Sequence, residues 1–331
     1  MGMFLNKIFK TIYNIAKKEK TDVYVVGGFV RDRLIGIENS KDVDFVVIGS
    51  GLEFAKAFDK EMKEEGSLVE FADFDTARYI LKTERLSRSE RDPAVAGKDQ
   101  KINSESGDGD DTIELEFAGA RSESYDEISR KPKVSATNLE TDLQRRDFTV
   151  NAIAQKVIAS GLSKTVVDPF GGQEDLKNKI LRTPLNPDTT FSEDPLRMLR
   201  AARFASQLGF MIEANTYEAM NRNCKRLRIV SAERIQEEFF KLLATKKPSI
   251  GLRILYDTGL FDMFLPEVKS LHGVEEIFGQ IHKDMLEHTF KVVDNIAEKS
   301  DKVTLRLAGL LHDIGKPATK KFVRGRGWTF D

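Results

Sequence analysis

Short apolar runs dominate the first half of the chain, and their composition distinguishes strands from helices. Four runs are rich in β-branched and aromatic residues and predict strands: 23–27 (VYVVG), 44–49 (DFVVIG), 77–81 (ARYIL) and 113–119 (IELEFAG). Residues 4–15 instead carry apolar side chains at helical spacing, which predicts an amphipathic helix. This mixture is typical of an α+β domain.

The second half has helical periodicity almost throughout. Three segments show it most clearly: 194–210, 231–244 and 249–264. We therefore predict an α+β head over 1–155, a helical neck over 156–250 and a helical body over 251–331. The polar, charged stretch 82–112 lies between two predicted strands, and its composition indicates a flexible insertion.

Composition narrows the possible classes of protein. The 331 residues carry a formal net charge of −1, so attraction to a polyanion would have to come from local clusters of Lys and Arg. Cys224 is the only cysteine, which excludes an intramolecular disulfide and agrees with a reducing cytoplasm. No stretch approaches the ~20 apolar residues that span a bilayer, so we expect no membrane segment.

Two carboxylates stand one residue apart in the second predicted strand. Strand alternation places Asp42 and Asp44 on one face, while Val43, Phe45 and Val47 pack on the other. Adjacent carboxylates repel each other, and a divalent cation with a preference for oxygen ligands, such as Mg²⁺, relieves this repulsion. A third carboxylate is expected from a neighbouring strand, where Glu116 is our choice although Glu114 shares its face.

A glycine pair, Gly27 and Gly28, ends the first predicted strand and begins a helix that carries Arg31. Glycine lets backbone N–H groups approach a phosphate closely, and a helix N-terminus favours an anion. Taken alone, a Gly-Gly turn is usually a packing device, and Asp-x-Asp is usually an exposed strand end. Their occurrence at short spacing favours a nucleoside triphosphate held between the turn and metal-binding aspartates.

With these motifs in place, the chain resembles the class II nucleotidyltransferases, the family of bacterial CCA-adding tRNA nucleotidyltransferases and poly(A) polymerases. Further motifs of the family follow in order: RRDFTVNAIA (145–154), DPFGGQEDLKNKILRT (168–183), EDPLRMLRAARFASQLGF (193–210) and ERIQEEF (233–239). The resemblance implies a head with the DNA polymerase β fold and a small mixed sheet, Mg²⁺ as cofactor, and tRNA, CTP and ATP as partners.

Asp194 and Arg197 have the chemistry needed to read a base. Pro195 suits a first helical turn and Asp194 suits an N-cap, so a helix is expected to begin here. A carboxylate accepts from an amino group and an arginine donates to a ring nitrogen, the pattern that cytosine and adenine share on their pairing edges. Taken alone, Asp-x-x-Arg would indicate a capped helix with an ion pair.

The resemblance implies roles for further positions of this chain. Arg200 and Arg203 correspond to nucleotide-binding arginines, and Arg146, Asp147 and Asn151 match family positions at the nucleotide and the head–neck junction. A structural role for Asp147 and Asn151, with Arg146 in an ion pair, remains open. Four basic residues lie in a stretch without acids: Arg222, Lys225, Arg226 and Arg228. Such a run is usually a solvated face, but in this family we expect it to contact RNA.

The segment LLHDIGKP (310–317) resembles the motif of HD metal-dependent phosphohydrolases. His312, Asp313 and the earlier His288 could share a metal ion, because imidazole and carboxylate both coordinate readily. A purely structural helix remains the alternative.

One position departs from the family pattern, because Asp75 stands where a glycine is usual. We therefore expect the adjoining loop and strand to differ.

The expected activity is template-independent addition of C and A to the 3′ end of tRNA. A poly(A) polymerase, or an enzyme that adds only A or only CC, shares these motifs and remains an alternative. An HD phosphohydrolase and a non-catalytic tRNA-binding module are more remote alternatives.

Overall fold

The computed structural model describes residues 2–37, 41–63, 65–82, 112–124, 133–273, 275–277, 280–282 and 284–329. The chain folds as two compact units, of which the first comprises 1–146 and 150–173 and the second 147–149 and 174–331. The predicted insertion, apart from its two end residues, lies outside the described residues.

The first unit combines helices with a mixed sheet. Its helices are α1 (Gly2–Glu19), α2 (Gly28–Leu34), α3 (Gly51–Glu61) and α4 (Leu139–Gln144). Its strands are β1 (Val23–Val26), β2 (Asp42–Val47), β3 (Ser67–Phe71), β4 (Thr76–Lys82), β5 (Thr112–Gly119), β6 (Arg121–Ser124), β7 (Lys133–Ala136), β8 (Ala154–Ile158) and β9 (Gly161–Val167).

Seven of these strands form one sheet in the order β3-β4-β5-β2-β1-β8-β9, while β6 and β7 form a separate hairpin. Within the sheet, β2 and β5 run parallel, and the other neighbouring strands are antiparallel. The predicted α+β class with a mixed sheet is therefore confirmed. Because β8 pairs with β1, the sheet continues beyond the head boundary predicted at residue 155.

Aromatic residues fill the buried face of this sheet. The rings of Phe45 and Phe117 stack with centroids 4.9 Å apart, and Phe58 of α3 lies 5.2 Å from Phe117. All three side chains are essentially inaccessible to solvent. Since side chains alternate along a strand, burying Phe45 and Phe117 turns their neighbours Asp44 and Glu116 to the opposite face.

Asp75 keeps the backbone conformation that a glycine would favour. Its φ is +46°, in the left-handed region that aspartate tolerates better than most residues. Its carboxylate accepts hydrogen bonds from the Gly51 and Leu52 N–H groups at 3.1 and 3.2 Å and from Ser50 Oγ at 2.6 Å. The departure from the family pattern therefore adds a cap to α3.

The second unit is mainly helical. Its helices are α5 (Gly172–Asn178), which begins just before the unit boundary, α6 (Pro187–Glu193), α7 (Leu196–Leu208), α8 (Ala214–Asn223), α9 (Ala232–Leu243), α10 (Pro248–Asp257), α11 (Met285–Ala297), α12 (Val303–Leu311) and α13 (Lys316–Thr319). Short strands pair between these helices: β10 (Ile180–Leu181) with β11 (Met211–Ile212), β12 (Glu275–Ile277) with β13 (Gln280–His282), and β14 (Lys321–Val323) with β15 (Gly327–Thr329).

Helix α7 lies at the centre of this unit and packs against α9 and α10. Gly251 allows α10 to approach closely, because a Cβ there would lie 2.7 Å from the Ala202 carbonyl oxygen. The expectation that Asp194 is the N-cap of this helix is wrong by one residue, since α7 begins at Leu196 after Pro195. Asp194 Oδ1 nevertheless accepts from the Leu196 N–H at 3.2 Å.

None of the helices in the described part of the chain has both the length and the apolar character needed to cross a bilayer.

Candidate active site

A row of carboxylates crosses two parallel strands of the first unit. Asp42 on β2 lies opposite Glu114 on β5, and Asp44 lies opposite Glu116. The residues that alternate with them are buried, so all four carboxylates project from the same face. The register pairs our chosen third carboxylate, Glu116, directly with Asp44.

The glycine turn lies beside this row because Val26, the last residue of β1, is opposite Asp44. Gly27 has φ +71° and ψ −141°, a conformation that is open essentially to glycine alone. A Cβ at this position would lie 3.1 Å from Asp44 Oδ2 and 3.4 Å from Arg146 Nη1. The glycine turn, the catalytic candidate Asp44 and the predicted nucleotide-binding residue Arg146 therefore lie next to one another.

Arg146 forms an ion pair with a buried acid, Asp142, which we did not predict from the sequence. Its Nη2 lies 3.1 Å from Asp142 Oδ2, and Arg145 Nη2 lies 2.6 Å from Asp142 Oδ1. Burial acts to raise the pKa of the Asp142 carboxyl, but the two guanidinium groups outweigh it and hold this pKa below its ordinary value. Among the described residues, the buried Nε of Arg146 has no hydrogen-bond partner.

Arg31 and Asn151 are brought together from distant parts of the first unit. Arg31 Nη1 donates to Asn151 Oδ1 at 2.8 Å, and Arg31 Nε donates to Asp32 Oδ1 at 2.8 Å. Both Arg31 and Asn151 are buried, at 3% and 5% exposure. The pair thereby ties the first turn of α2 to the segment that leads into β8.

Arg78 on β4 also faces the carboxylate row. Its Nη1 lies 3.3 Å from Glu114 Oε2, and its Nη2 lies 3.3 Å from Glu116 Oε2. Strand alternation alone could have placed Arg78 on the polar face. Its pairing with Glu116 depends on the register across the insertion, which the sequence does not reveal.

The second unit contains the predicted base-reading residues. Asp194 Oδ2 lies 2.9 Å from Arg234 Nη2, and Arg197 Nη1 lies 3.2 Å from Glu193 Oε2. Arg197 Nη1 also donates to the Thr190 carbonyl at 3.3 Å. An isolated Asp-x-x-Arg motif would suggest an ion pair between the two residues of the motif. Here Asp194 pairs with Arg234, and Arg197 pairs with Glu193.

Arg200 and Arg203 belong to a charge network with two acids. Arg200 Nη2 lies 2.7 Å from Asp147 Oδ2, and Arg203 Nε lies 2.7 Å from Glu238 Oε2. Glu238 also lies 3.4 Å from Arg200 Nη1. Burial acts to lower the pKa of Arg200, but the carboxylates of Asp147 and Glu238 raise it above its ordinary value, so the guanidinium stays charged.

Asp147 also makes a contact outside this network: its Oδ1 accepts a hydrogen bond from the Phe148 N–H at 2.8 Å. This contact supports a structural role for Asp147.

The basic stretch is partly engaged by the protein itself. Arg222 Nη2 lies 2.8 Å from Asp188 Oδ2, and Arg226 Nη2 donates to the Ser192 carbonyl at 2.8 Å. Arg222, Lys225 and Arg228 are exposed. Three of the four basic residues are therefore accessible, and one of these, Arg222, is already paired with an acid.

His288, His312 and Asp313 cluster in the second unit with candidate ligand atoms within 4.8 Å of one another. His312 Nδ1 lies 2.7 Å from the Gly309 carbonyl oxygen, so this contact favours the tautomer in which Nδ1 donates and Nε2 is the lone-pair nitrogen. Asp313 is buried and its Oδ1 accepts from Lys316 Nζ at 2.8 Å. This donor set suits a transition-metal ion.

The predicted residues thus group within each unit. The first unit brings together Gly27, Asp44, Glu116 and Arg146, with Asp42 on the same strand as Asp44. Gly28, Arg31 and Asn151 belong to the same unit, and a hydrogen bond joins the last two. The second unit holds the remaining ones: Asp147, Asp194, Arg197, Arg200, Arg203, the basic stretch and the histidine cluster.

Three known protein-family models match different parts of the chain. The profile described as the poly A polymerase head domain matches residues 23–106 and 83–182. A probable RNA- and SrmB-binding site of polymerase A matches 209–271, and the HD domain matches 285–326. The predicted resemblance is therefore confirmed, including the HD segment.

Individual relatives agree with these families. The chain is 34% identical over 307 residues to the multifunctional CCA protein of Vibrio parahaemolyticus, covering 90% of this chain and 64% of that protein. It is 33% identical over 307 residues to the multifunctional CCA protein of Pseudomonas fluorescens, with the same coverage. The chain thus spans slightly less than two thirds of the length of these curated relatives.

Solved structures are similar in fold and sequence. A tRNA nucleotidyltransferase complexed with a primer tRNA and an incoming ATP analogue matches with a TM-score of 0.64 and 28% identity, covering 91% of this chain and 75% of that one. The Thermotoga maritima CCA-adding enzyme complexed with tRNA matches with a TM-score of 0.63 and 26% identity, covering 92% and 62%. The chain is therefore similar over most of its length to CCA-adding enzymes, and its segments match the head and RNA-binding models of poly A polymerase and the HD domain.

Proposed function

We propose that this protein is a CCA-adding tRNA nucleotidyltransferase, which adds C and A to the 3′ end of tRNA without a nucleic-acid template. The RNA 3′-hydroxyl attacks the α-phosphate of CTP or ATP, and pyrophosphate leaves. The observation that carries the proposal is the meeting of Gly27, Asp44 and Arg146, with Glu116 opposite Asp44. Similarity to a tRNA nucleotidyltransferase complexed with a primer tRNA and an incoming ATP analogue supports it.

The carboxylate row fits a divalent cation, and we propose Mg²⁺. Asp42 and Asp44 would hold it, because they are hard oxygen donors from one face of one strand. Such an ion stabilises the negative charge that develops on the attacking and leaving oxygens. Glu116 completes the acidic row, and Arg78 offsets part of its negative charge.

The groups around the glycine turn are suited to a triphosphate. Gly27 leaves the space that a Cβ would fill between Asp44 and Arg146. Arg146 adds positive charge there, and its Nε is a buried donor with no partner among the described residues, which an anion would satisfy. The helix that follows the turn begins at Gly28, and the hydrogen bond between Arg31 and Asn151 anchors it.

Selection of C and A is assigned to the second unit. Asp194 accepts from the exocyclic amino group, and Arg197 donates to the ring nitrogen beside it. Uracil and guanine present a carbonyl and an N–H instead, so this pair rejects them. Asp147, Arg200 and Arg203 support nucleotide binding through their shared network.

We assign tRNA contact to the basic stretch, in which Arg222, Lys225 and Arg228 are exposed and Arg226 lies beside them. We retain the division into a head (1–155), a neck (156–250) and a body (251–331) as a proposal. The single cysteine, Cys224, agrees with a cytoplasmic location.

The experiment that tests this proposal supplies purified protein with Mg²⁺, a tRNA lacking its CCA end, and each labelled nucleoside triphosphate singly and in pairs. Incorporation of C followed by A supports CCA addition. Incorporation of A alone indicates a poly(A) polymerase or an A-adding enzyme, and incorporation of C alone indicates a CC-adding one. If no nucleotide is incorporated, the proposed activity is wrong.

A second candidate function, metal-dependent phosphohydrolysis, is favoured by the cluster of His288, His312 and Asp313 within an HD-domain match. Their imidazole and carboxylate donors fit a transition-metal ion. Such an ion supplies a hydroxide-like nucleophile and polarises a phosphate ester when it is bound.

This candidate predicts that His312→Ala weakens Co²⁺ binding by at least about tenfold, because one of three protein ligands is lost. Equilibrium dialysis of the full chain with Co²⁺ measures the effect. His272→Ala is the matched control, since His272 is exposed and contacts Asp284 outside the cluster. Unchanged Co²⁺ affinity in His312→Ala would leave the cluster with a structural role only.

A further inference from the structure

Arg234 contacts the carboxylate to which the proposed function assigns base selection. Asp194 Oδ2 lies 2.9 Å from Arg234 Nη2, across 40 residues of chain. The other oxygen, Oδ1, accepts from the Leu196 N–H at 3.2 Å. These two contacts act on different oxygens, so together they fix the plane of the carboxylate as well as its position.

The local sequence does not explain an arginine at this position. Ser231 is the N-cap of α9, and its side chain makes no capping hydrogen bond. A capping box would place Glu or Gln three residues after the serine, where this chain has Arg234. A positive charge in the first helical turn is also opposed by the helix macrodipole. The contact with Asp194 compensates for this unfavourable placement.

The side chains of Asp194 and Arg234 remain accessible to a ligand. The side chain of Asp194 is 22% exposed and that of Arg234 is 44% exposed. A carboxylate has about four acceptor positions, of which these two contacts use two. Asp194 can therefore stay bound to Arg234 and Leu196 while it accepts a further hydrogen bond from an amino group.

We infer that Arg234 is a positioning residue for nucleotide selection: it orients Asp194 as an acceptor toward the amino group of cytosine or adenine. The inference rests on the proposed function of Asp194. A fixed, acceptor-only carboxylate leaves a carbonyl at the same place unsatisfied, and this mismatch is the basis of discrimination against uracil and guanine. Without Arg234 the carboxylate can rotate about its side-chain bonds, and the mismatch is relieved.

The test compares the affinities of the full chain for CTP and UTP, together with kcat/KM for each nucleotide on a tRNA lacking its end. Arg234→Ala is expected to reduce the preference for CTP over UTP by about tenfold in both measurements. Asp194→Ala should reduce it by at least as much. Arg234→Lys should restore part of the preference, because it keeps the charge but loses the planar guanidinium.

Lys241→Ala is the matched control on the same helix. Lys241 is exposed and lies 2.6 Å from Glu237, so its removal should leave the CTP preference unchanged. Thermal unfolding of each variant establishes that it is folded. Because Arg234 forms a partly exposed ion pair, its loss should leave the unfolding temperature close to that of the wild type.

Two results would overturn the inference: Arg234→Ala with the wild-type preference for CTP, or wild-type protein that binds CTP and UTP equally. If the proposed function itself is wrong, no tRNA is extended by any variant. The CTP and UTP binding measurements then still decide whether Arg234 controls the base preference.

Discussion

Asp44→Asn is expected to lower the rate of tRNA extension by at least about 1000-fold, because loss of one metal-binding carboxylate removes several kcal/mol of transition-state stabilisation. Asp44 lies opposite Glu116 and has an oxygen 3.1 Å from the Cβ position of Gly27. Asparagine has nearly the same shape but no charge. Single-turnover extension with labelled CTP at saturating Mg²⁺ measures the loss.

Glu70→Gln is a suitable control for this variant. Glu70 belongs to the same sheet, on β3, and its Oε2 lies 3.6 Å from Lys56 on the exposed surface. We expect its extension rate to equal that of the wild type. An Asp44→Asn protein that extends tRNA at the wild-type rate would show that the carboxylate row is not the catalytic centre.

Asp142→Ala is expected to destabilise the first unit by about 3–5 kcal/mol, because it leaves the two guanidinium groups of Arg145 and Arg146 without their buried counter-charge. The side chain of Asp142 is fully buried, and its two oxygens contact different arginines. Hydrogen exchange of peptides from β1 and β2 in increasing urea measures the loss. The only tryptophan, Trp328, lies in the second unit and would not report on it.

The pH dependence of this effect follows from the lowered pKa of Asp142. A carboxyl whose pKa is lower in the folded protein stabilises it fully above its ordinary pKa of 3.8. That stabilisation is lost as the pH falls through the lower, folded value. The difference in unfolding free energy between the wild type and Asp142→Ala should therefore be constant from neutral pH to about pH 5 and shrink in stronger acid.

An exposed ion pair, Asp22 with Lys156 at 2.7 Å, is the control for the stability loss expected in Asp142→Ala. Asp22→Ala should cost less than about 1 kcal/mol, because solvent screens this pair and both side chains are nearly half exposed. If Asp142→Ala were equally mild, the buried acid would not be what holds Arg146 beside the glycine turn.

Much of the candidate site could be predicted because its signals are local. Alternation in one strand was sufficient to place Asp42 and Asp44 on a shared face, and the glycine pair indicated a tight turn next to them. The choice between Glu114 and Glu116 was less secure. Both alternate correctly, and only the parallel register of β2 and β5 places Glu116 opposite Asp44.

Arg78, Arg234 and Asp142 were not predicted to support the site. Their partners are either far away in the sequence or close in a pattern that has a commoner explanation. Arg78 pairs with Glu116 across 38 residues, and Arg234 pairs with Asp194 across 40. Asp142 is close to Arg146 in sequence, but an acid four residues from an arginine usually marks an exposed helix face. Its complete burial became evident only from packing.

The sequence by itself determined the strands and helices of the α+β head, the carboxylate pair, the glycine turn and the order of the family motifs, because each depends on the period of a single element or on adjacent residues. The tertiary structure alone decided which strand neighbours which, that β8 returns to pair with β1, and which counter-charge each functional side chain meets. Strand register and long-range ion pairs depend on how separate elements pack, and no periodicity along one element encodes that packing.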